Sequence, residues 1–344
     1  MPLQQTSGNV TADAYGGGTA AVAANYIEDV FSTYLYAGNN ATQTITNGIN
    51  FSGKGGLLWT KSRTTSGYIN ILTGPNFSGY NSLTSEWTDP LSPNSDITAW
   101  NTTGFSLGNN SGYQNSSGNN FVSWSFRKQP KFFDVVTGTG PGTFSHNLGS
   151  VPGCIIFKIT NGASPWYVVH NGLTGGINGG KGLSLNTTGA EASNGSMSAT
   201  STTFATTFYA GAPDTWVAYL FASNAGGFGL SGTDNVISCG SFTTDGSGNA
   251  TVNLGYEPQW VMVKSATFAA QWEMYDTMRG MSNPGLAYLS PNSSDAEGSS
   301  SSSYGCVPTA TGFTTAGWWT GSGASQTFIY IAIRRGPMKV PTDG

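Results

Sequence analysis

Three apolar runs in this 344-residue chain end in lysine: GLLWTK at Lys61, CIIFK at Lys158 and WVMVK at Lys264, spaced 97 and 106 residues apart. An aromatic residue follows each run, at Tyr68, Trp166 and Trp272. Between the second and third copies the 106-residue register persists, matching Asn186 with Asn292 and Glu191 with Glu297. Self-similarity of this kind means copies of one supersecondary unit, which excludes an assembly of unrelated domains. The flanks repeat as well. YLYAGNNATQTITNGINF, FDVVTGTGPGTFSHNLGSVP and ISCGSFTTDGSGNATVNLGYEP precede the lysine runs. TTGFSLG, TTFATT and ATGFTT follow them. Each copy closes on an apolar run: Phe121–Phe126, Trp216–Phe221 and Phe328–Ile333. The expected units are 31–128, 129–228 and 229–336, after a small-residue leader at 1–30 and before a tail at 337–344.

Within each unit, short runs rich in Val, Ile, Thr and aromatics are bounded by Gly, Asn, Ser and Asp, which is strand-and-turn chemistry. A strand every ~8–12 residues fits a β-sandwich. The expectation is an all-β chain of three tandem, jelly-roll-like sandwiches with an extended N-terminal arm. Lys61, Lys158 and Lys264 should then hold one equivalent strand-end position. Helical periodicity is confined to one short segment, Asn25–Phe31, and Gly298–Gly305 reads as a loop. The strand tryptophans Trp59, Trp124, Trp166, Trp216, Trp260 and Trp272 are expected in the core, where each buries a large apolar area.

Composition narrows the function. Only 9% of residues are charged, against about 25% in an average soluble chain, while aromatics reach 12%. That is the reverse of a disordered composition. The net charge of −4 supplies no basic field for nucleic acid. No apolar run is long enough to span a membrane. The N-terminus lacks the basic and apolar regions of a secretory signal, so maturation in a reducing cytoplasm is expected. Cys154, Cys239 and Cys306 have neither disulfide nor metal spacing; the first two read as buried thiols and Cys306, beside a serine run, as exposed.

Several catalytic patterns are approached and not met. GFGLSG (Gly227–Gly232) matches a dinucleotide fingerprint but precedes a strand where a helix is required. GGINGGK (Gly175–Lys181) is followed by Gly182 where a phosphate loop needs Ser or Thr. DGSGN (Asp245–Asn249) has Tyr256 where a calcium loop needs a bidentate Glu, and reads as a hairpin turn. His146 and His170 lack the carboxylate and nucleophile context of a triad; on the sequence spacing His170 falls opposite Leu72 and Asp276. Glycoside hydrolysis needs a carboxylate pair. Glu273 and Asp276 are three apart, hence on opposite faces of a strand, and Glu191 and Glu297 read as solvated turn acids. No cofactor or metal set is expected.

FSTYLYAGN, GLLWTKSR, WSFRKQPKFFDVVTGTG, HNLGSVPG, WVAYLFASNAGGFGLSGTDNVISCGS, LGYEPQWVMVK, DTMRGM and FIYIAIRRGPMKVPTDG span essentially the whole chain. In these motifs it resembles a recurrent family of bacteriophage proteins, abundant in phages of marine bacteria such as cyanobacteria and Pelagibacter. Members of that family are described as virion structural, tail or fibre proteins. The resemblance implies a virion location after synthesis in the host cytoplasm. It implies partners among other virion proteins and further copies of the chain, as a homo-oligomer such as a trimer. It supplies no catalytic residues.

Three functions are therefore weighed. The first is a non-enzymatic virion structural protein, a fibre or a head or tail appendage. The second is a carbohydrate- or receptor-binding module that contacts a host surface glycan. The third is a polysaccharide-degrading tailspike, which the missing acid pair disfavours. For partner or glycan contact the candidates are Trp318 and Trp319, adjacent in a Gly/Ser loop before the last strand, with Tyr209 and Tyr113 in the corresponding loops of the other units.

Overall fold

The computed structural model describes residues 24–93, 95–109, 112–193, 197–207, 209–281, 286–299, 305–316 and 325–339. The first repeat forms β1 (Phe31–Ala37), β2 (Gln43–Thr46), β3 (Gly56–Ser62), β4 (Ile71–Thr73), β5 (Ser82–Thr84), β6 (Ile97–Asn101), β7 (Gly104–Leu107) and β8 (Asn120–Arg127). They make two antiparallel sheets, ordered β1-β8-β3-β4-β5 and β2-β7-β6. The second repeat forms β9 (Phe133–Thr139), β10 (Thr143–Ser145), β11 (Cys154–Ile159), β12 (Tyr167–His170), β13 (Lys181–Ser184), β14 (Ala192–Ser193), β15 (Thr203–Ala205) and β16 (Thr215–Phe221). Their order is β9-β16-β11-β12-β13-β14 and β10-β15. The third forms β17 (Ile237–Thr243), β18 (Ala250–Asn253), β19 (Pro258–Ser265), β20 (Glu273–Asp276), β21 (Ala287–Tyr288), β22 (Gly298–Ser299), β23 (Gly305–Thr309), β24 (Gly312–Ala316) and β25 (Thr327–Arg334). Here the sheets are β17-β25-β19-β20 and β18-β24-β23, with β21-β22 tied to β20 through the Met274–Leu289 bridge. The protein is thus all-β, one sandwich topology used three times.

An antiparallel sheet commonly leaves one face to water. The central strands of the large sheets do not. Every residue of β3 and β11 is buried, as is Phe121–Phe126 of β8. In β3, Leu58 faces the sandwich interior with Tyr36, Ile45, Phe51, Phe105 and Phe121. Leu57 and Trp59 face the other way, into a second core shared with residues of both other repeats. Phe126 shows the convergence, lying 5.7 Å from Phe221 of the second repeat and 5.7 Å from Trp260 of the third. Continuous apolar runs such as WVAYLF are required because both faces of their strands are covered.

Hydrogen bonds between repeats recur in a cycle. The amides of Gly67, Ser164 and Ala270 donate to the carbonyls of Ser294, Thr88 and Thr188 at 2.8–2.9 Å. The amides of Leu91, Glu191 and Glu297 donate to Thr160, Ala266 and Arg63 at 2.8–2.9 Å. The indoles of Trp166 and Trp272 donate to the carbonyls of Thr84 and Ser184, both at 3.0 Å. Asn70 Nδ2 occupies the same place in the first repeat and reaches the Ser290 and Ser293 carbonyls. The second repeat therefore docks on the first, the third on the second, and the first on the third. One chain closes a pseudo-threefold ring.

Lys61, Lys158 and Lys264 are each the penultimate residue of their strand and are fully buried on the axis-facing side. The β-ladder also resets two sequence matches. Leu58, Ile155 and Val261 pair with Thr73, Val169 and Tyr275. Hence Asn70, not Tyr68, corresponds to Trp166, and His170 corresponds to Gly74 and Asp276, because the loop after Lys61 is one residue longer.

Residues 24–30, expected in the leader, are part of the body. Ile27–Asp29 make one 3-10 turn, Ile27 and Val30 are fully buried, and the Ile27 amide donates to the Pro337 carbonyl at 3.2 Å. Residues 1–23 lie outside the described residues. Cys306 is buried, correcting the expectation of an exposed thiol, because the serine run gives way to β23 at Gly305. Gly298–Ser299 form β22 and Gly305 opens β23, which corrects the expected loop at both its ends; its residues 300–304 lie outside the described residues.

Candidate functional site

The ring has two chemically different ends. At one, the chain enters at Asn25, passes through both inter-repeat connections and leaves through Pro337. Asn25 links these segments: its Nδ2 donates to the Gly227 carbonyl at 3.0 Å, its carbonyl accepts from Gly229, and its Oδ1 accepts from Gln129. Gly227–Gly232 is therefore an inter-repeat turn closed by the Phe228–Asp234 bridge. It needs its glycines for backbone reasons: Gly229 has φ +75, and a Cβ there would stand 2.1 Å from Asp234 Oδ2. Gly176–Asn178 is likewise a 3-10 turn that runs into β13.

The opposite end carries the three lysines and the docking loops 84–91, 184–191 and 290–297. Lys61 Nζ donates to the Tyr68 carbonyl and, across the interface, to the Ser294 carbonyl. Lys158 Nζ donates to Ser164 and, across the interface, to the Thr88 carbonyl at 2.9 Å. Lys264 Nζ turns back to the Ser265 carbonyl. Burial lowers all three ammonium groups to about 8, partly offset for Lys61 by Glu86 and Asp295, and for Lys158 by Asp89.

One position on the ladder distinguishes the three interfaces. In the third repeat it is Asp276, whose Oδ2 accepts from the Trp124 indole at 2.9 Å and pairs with Arg279 Nε at 2.6 Å. The Arg279 guanidinium lies 5.2 Å from the Trp124 ring centroid. It also reaches Glu297, which takes a bidentate pair of 2.8 Å bonds from Arg63 of the first repeat. Glu297, expected as a solvated turn acid, is thus a cross-interface partner, and its hydrogen bonds raise the Arg63 pKa. In the second repeat the position is His170, whose Nε2 donates to the Tyr330 carbonyl at 3.1 Å while Nδ1 accepts from Gly172. Burial lowers it to about 3, so the imidazole is neutral. In the first repeat it is Gly74. His146 accepts from Leu148 and bonds the Thr200 carbonyl within its own sandwich.

The expected contact residues divide. Tyr209 is 7% exposed, packed 4.6 Å from Tyr167 and 5.9 Å from Phe157. This corrects its assignment as a loop-tip contact: the ring folds back on its own sandwich. Tyr113 is 36% exposed and rests edge-on against Tyr68 at 5.8 Å. Trp318 and Trp319 lie outside the described residues. Trp87, which sequence reasoning did not single out, is 41% exposed in the docking loop of the first repeat. Its signal was a tryptophan standing where the other copies have Thr187 and Ser293. Asp245 accepts from the amides of Ser247 and Asn249, making DGSGN a hairpin turn. Among the described residues, no group of three or more His, Cys, Asp or Glu is placed to hold a metal ion, and no helix is long and apolar enough to cross a membrane.

A family model described as a domain of unknown function (DUF7483) matches residues 27–337. No curated protein matches the chain.

Proposed function

We propose, for a chain that belongs to the DUF7483 family, a structural role: a rigid building block of a bacteriophage virion, in a fibre or a head or tail appendage. The observation that carries this reading is the closed pseudo-threefold ring, whose entering and leaving segments meet at one end at the Ile27–Pro337 hydrogen bond. Such a body is polar along its axis. One end suits attachment to a larger assembly, and the other presents loops outward. Its buried groups serve assembly. Asp276 is fully committed to Trp124 and Arg279, and Glu273 is 3% exposed, which favours a structural role over a hydrolytic one. One chain supplies all three sandwiches, so in place of the homo-oligomer that the resemblance implies, the free protein is expected to have the mass of a single chain by light scattering. Cryo-EM of the intact particle tests the assignment. The ring should sit with residues 24–30 and 334–339 toward the particle; absence of the chain from purified particles overturns the reading.

A further inference from the structure

We propose that the first docking loop, at Glu86, Trp87, Thr88 and Asp89, is a binding site for a neutral glycan. The three docking loops are internal controls for one another. TSEWTDPL, SLNTTGAE and SPNSSDAE hold the same backbone bonds. At the second-repeat and third-repeat positions, Asn186 and Asn292 accept from the amides of Trp166 and Trp272 at 3.0 and 3.1 Å. In the first repeat Glu86 does the same for Asn70, with both carboxylate oxygens at 3.1 Å. Docking therefore explains residue 86 and leaves Trp87 unexplained. Six other tryptophans are at most 1% exposed, whereas Trp87 is 41% exposed.

These four residues line an open depression of about 400 Å³, within the ~300–1,000 Å³ range of small-ligand sites. A flat indole supplies an apolar platform for the C–H face of a sugar ring. Thr88 and Asp89 are exposed beside it, with a hydroxyl and a carboxylate to meet sugar hydroxyls. The acids do not make the site a cation trap. Both Glu86 oxygens are held by the Asn70 amide and burial raises the Glu86 pKa to about 7, while the Asp89 carboxylate acts on the buried Lys158 ammonium, so the loop carries little uncompensated charge. Shape and neutrality favour a polyol over an ammonium ligand. The site stands on this loop alone and does not depend on the virion assignment.

Titration of the purified full chain with cellohexaose, maltohexaose, mannohexaose and tetramethylammonium, read by tryptophan fluorescence and calorimetry, tests it. At least one oligosaccharide should bind saturably with a Kd of about 1 mM or tighter. Trp87→Ala should weaken it at least about tenfold, the size expected from losing one aromatic platform, and Trp87→Phe should retain most of it. Asp89→Asn should weaken it several-fold. Unchanged melting temperatures keep these losses assigned to the site. No saturable binding by any of the three sugars, binding that survives Trp87→Ala, or tighter binding of tetramethylammonium than of every sugar would each overturn the proposal.

Discussion

The indole N–H of Trp124, in the last strand of the first repeat, donates to the Asp276 carboxylate of the third at 2.9 Å. Residues 152 positions apart thus fasten the seam at which the ring closes. The seam also holds Arg279, whose side chain is fully buried.

Asp276→Ala removes the acceptor for Trp124 and leaves Arg279, among the described residues, with only its Glu297 contact as an ion pair. Breaking a buried pair from one side costs about 3–5 kcal/mol. Urea denaturation should show a loss of that order, and Lys54→Ala, at an exposed site away from the seam, a change within about 0.5 kcal/mol.

His170 makes the second interface acid-sensitive. Its pKa falls from the usual 6.5 to about 3 because burial disfavours the cation. A base depressed in the native state is protonated first in the unfolded chain. Its contribution is therefore complete above pH 6.5 and is lost as pH falls toward 3. Thermal scans of wild type and His170→Gln should converge in relative stability across that window. A constant difference between them from pH 7 to pH 4 would count against a neutral imidazole.

The three lysines and three thiols act oppositely at alkaline pH. Lysines lowered to about 8 leave the unfolded chain holding more protons between about 8 and its ordinary value near 10.5, so stability rises with pH there. Burial raises Cys154, Cys239 and Cys306 above their ordinary 9.0, so the unfolded chain ionises first and stability falls from about pH 9 upward. The melting temperature should therefore peak near pH 9. Lys158→Met should flatten the rising limb, and Cys239→Ala should soften the fall.

The junction of Ile27 with Pro337 makes the chain permutable. Joining residue 339 to residue 25 through a short Gly/Ser linker and opening the chain between Leu230 and Ser231 cuts a surface connection, since Leu230 is 84% exposed. The permutant should melt in one cooperative transition within a few degrees of wild type, read by circular dichroism. Separate transitions for the rearranged repeats would mean that the ring depends on chain order.

Much of the fold was legible in the residues. The lysine spacing located β3, β11 and β19, and the closing runs located β8, β16 and β25, because a strand must advertise its apolar residues locally. Ring closure was not legible. It runs partly through backbone groups, such as the Gly67 amide and Ser294 carbonyl, that any sequence carries, and partly through side chains as far apart in sequence as Trp124 and Asp276. The unbroken apolar runs did hint at it, since alternation is lost when both faces of a sheet are covered. Asn70 was missed as the counterpart of Trp166 because it is not aromatic and a one-residue insertion breaks the register, so the neighbouring aromatic Tyr68 was matched instead. Cys306 and Tyr209 were misplaced for a shared reason: polar, small-residue neighbours read as a solvated loop, while the chain turns their side chains inward. Trp87 was overlooked because, without the ring, nothing marked its loop as the third member of a set.

The docking position filled by Gly74, His170 and Asp276 has a genetic consequence. In a ring of three identical chains a new codon changes all three seams together, so any substitution must suit every seam. Encoding the ring in one reading frame lifts that restriction. Each seam drifts alone, and a residue that would crowd the assembly in triplicate can appear once. Symmetry here constrains the backbone while leaving the surface free to become asymmetric.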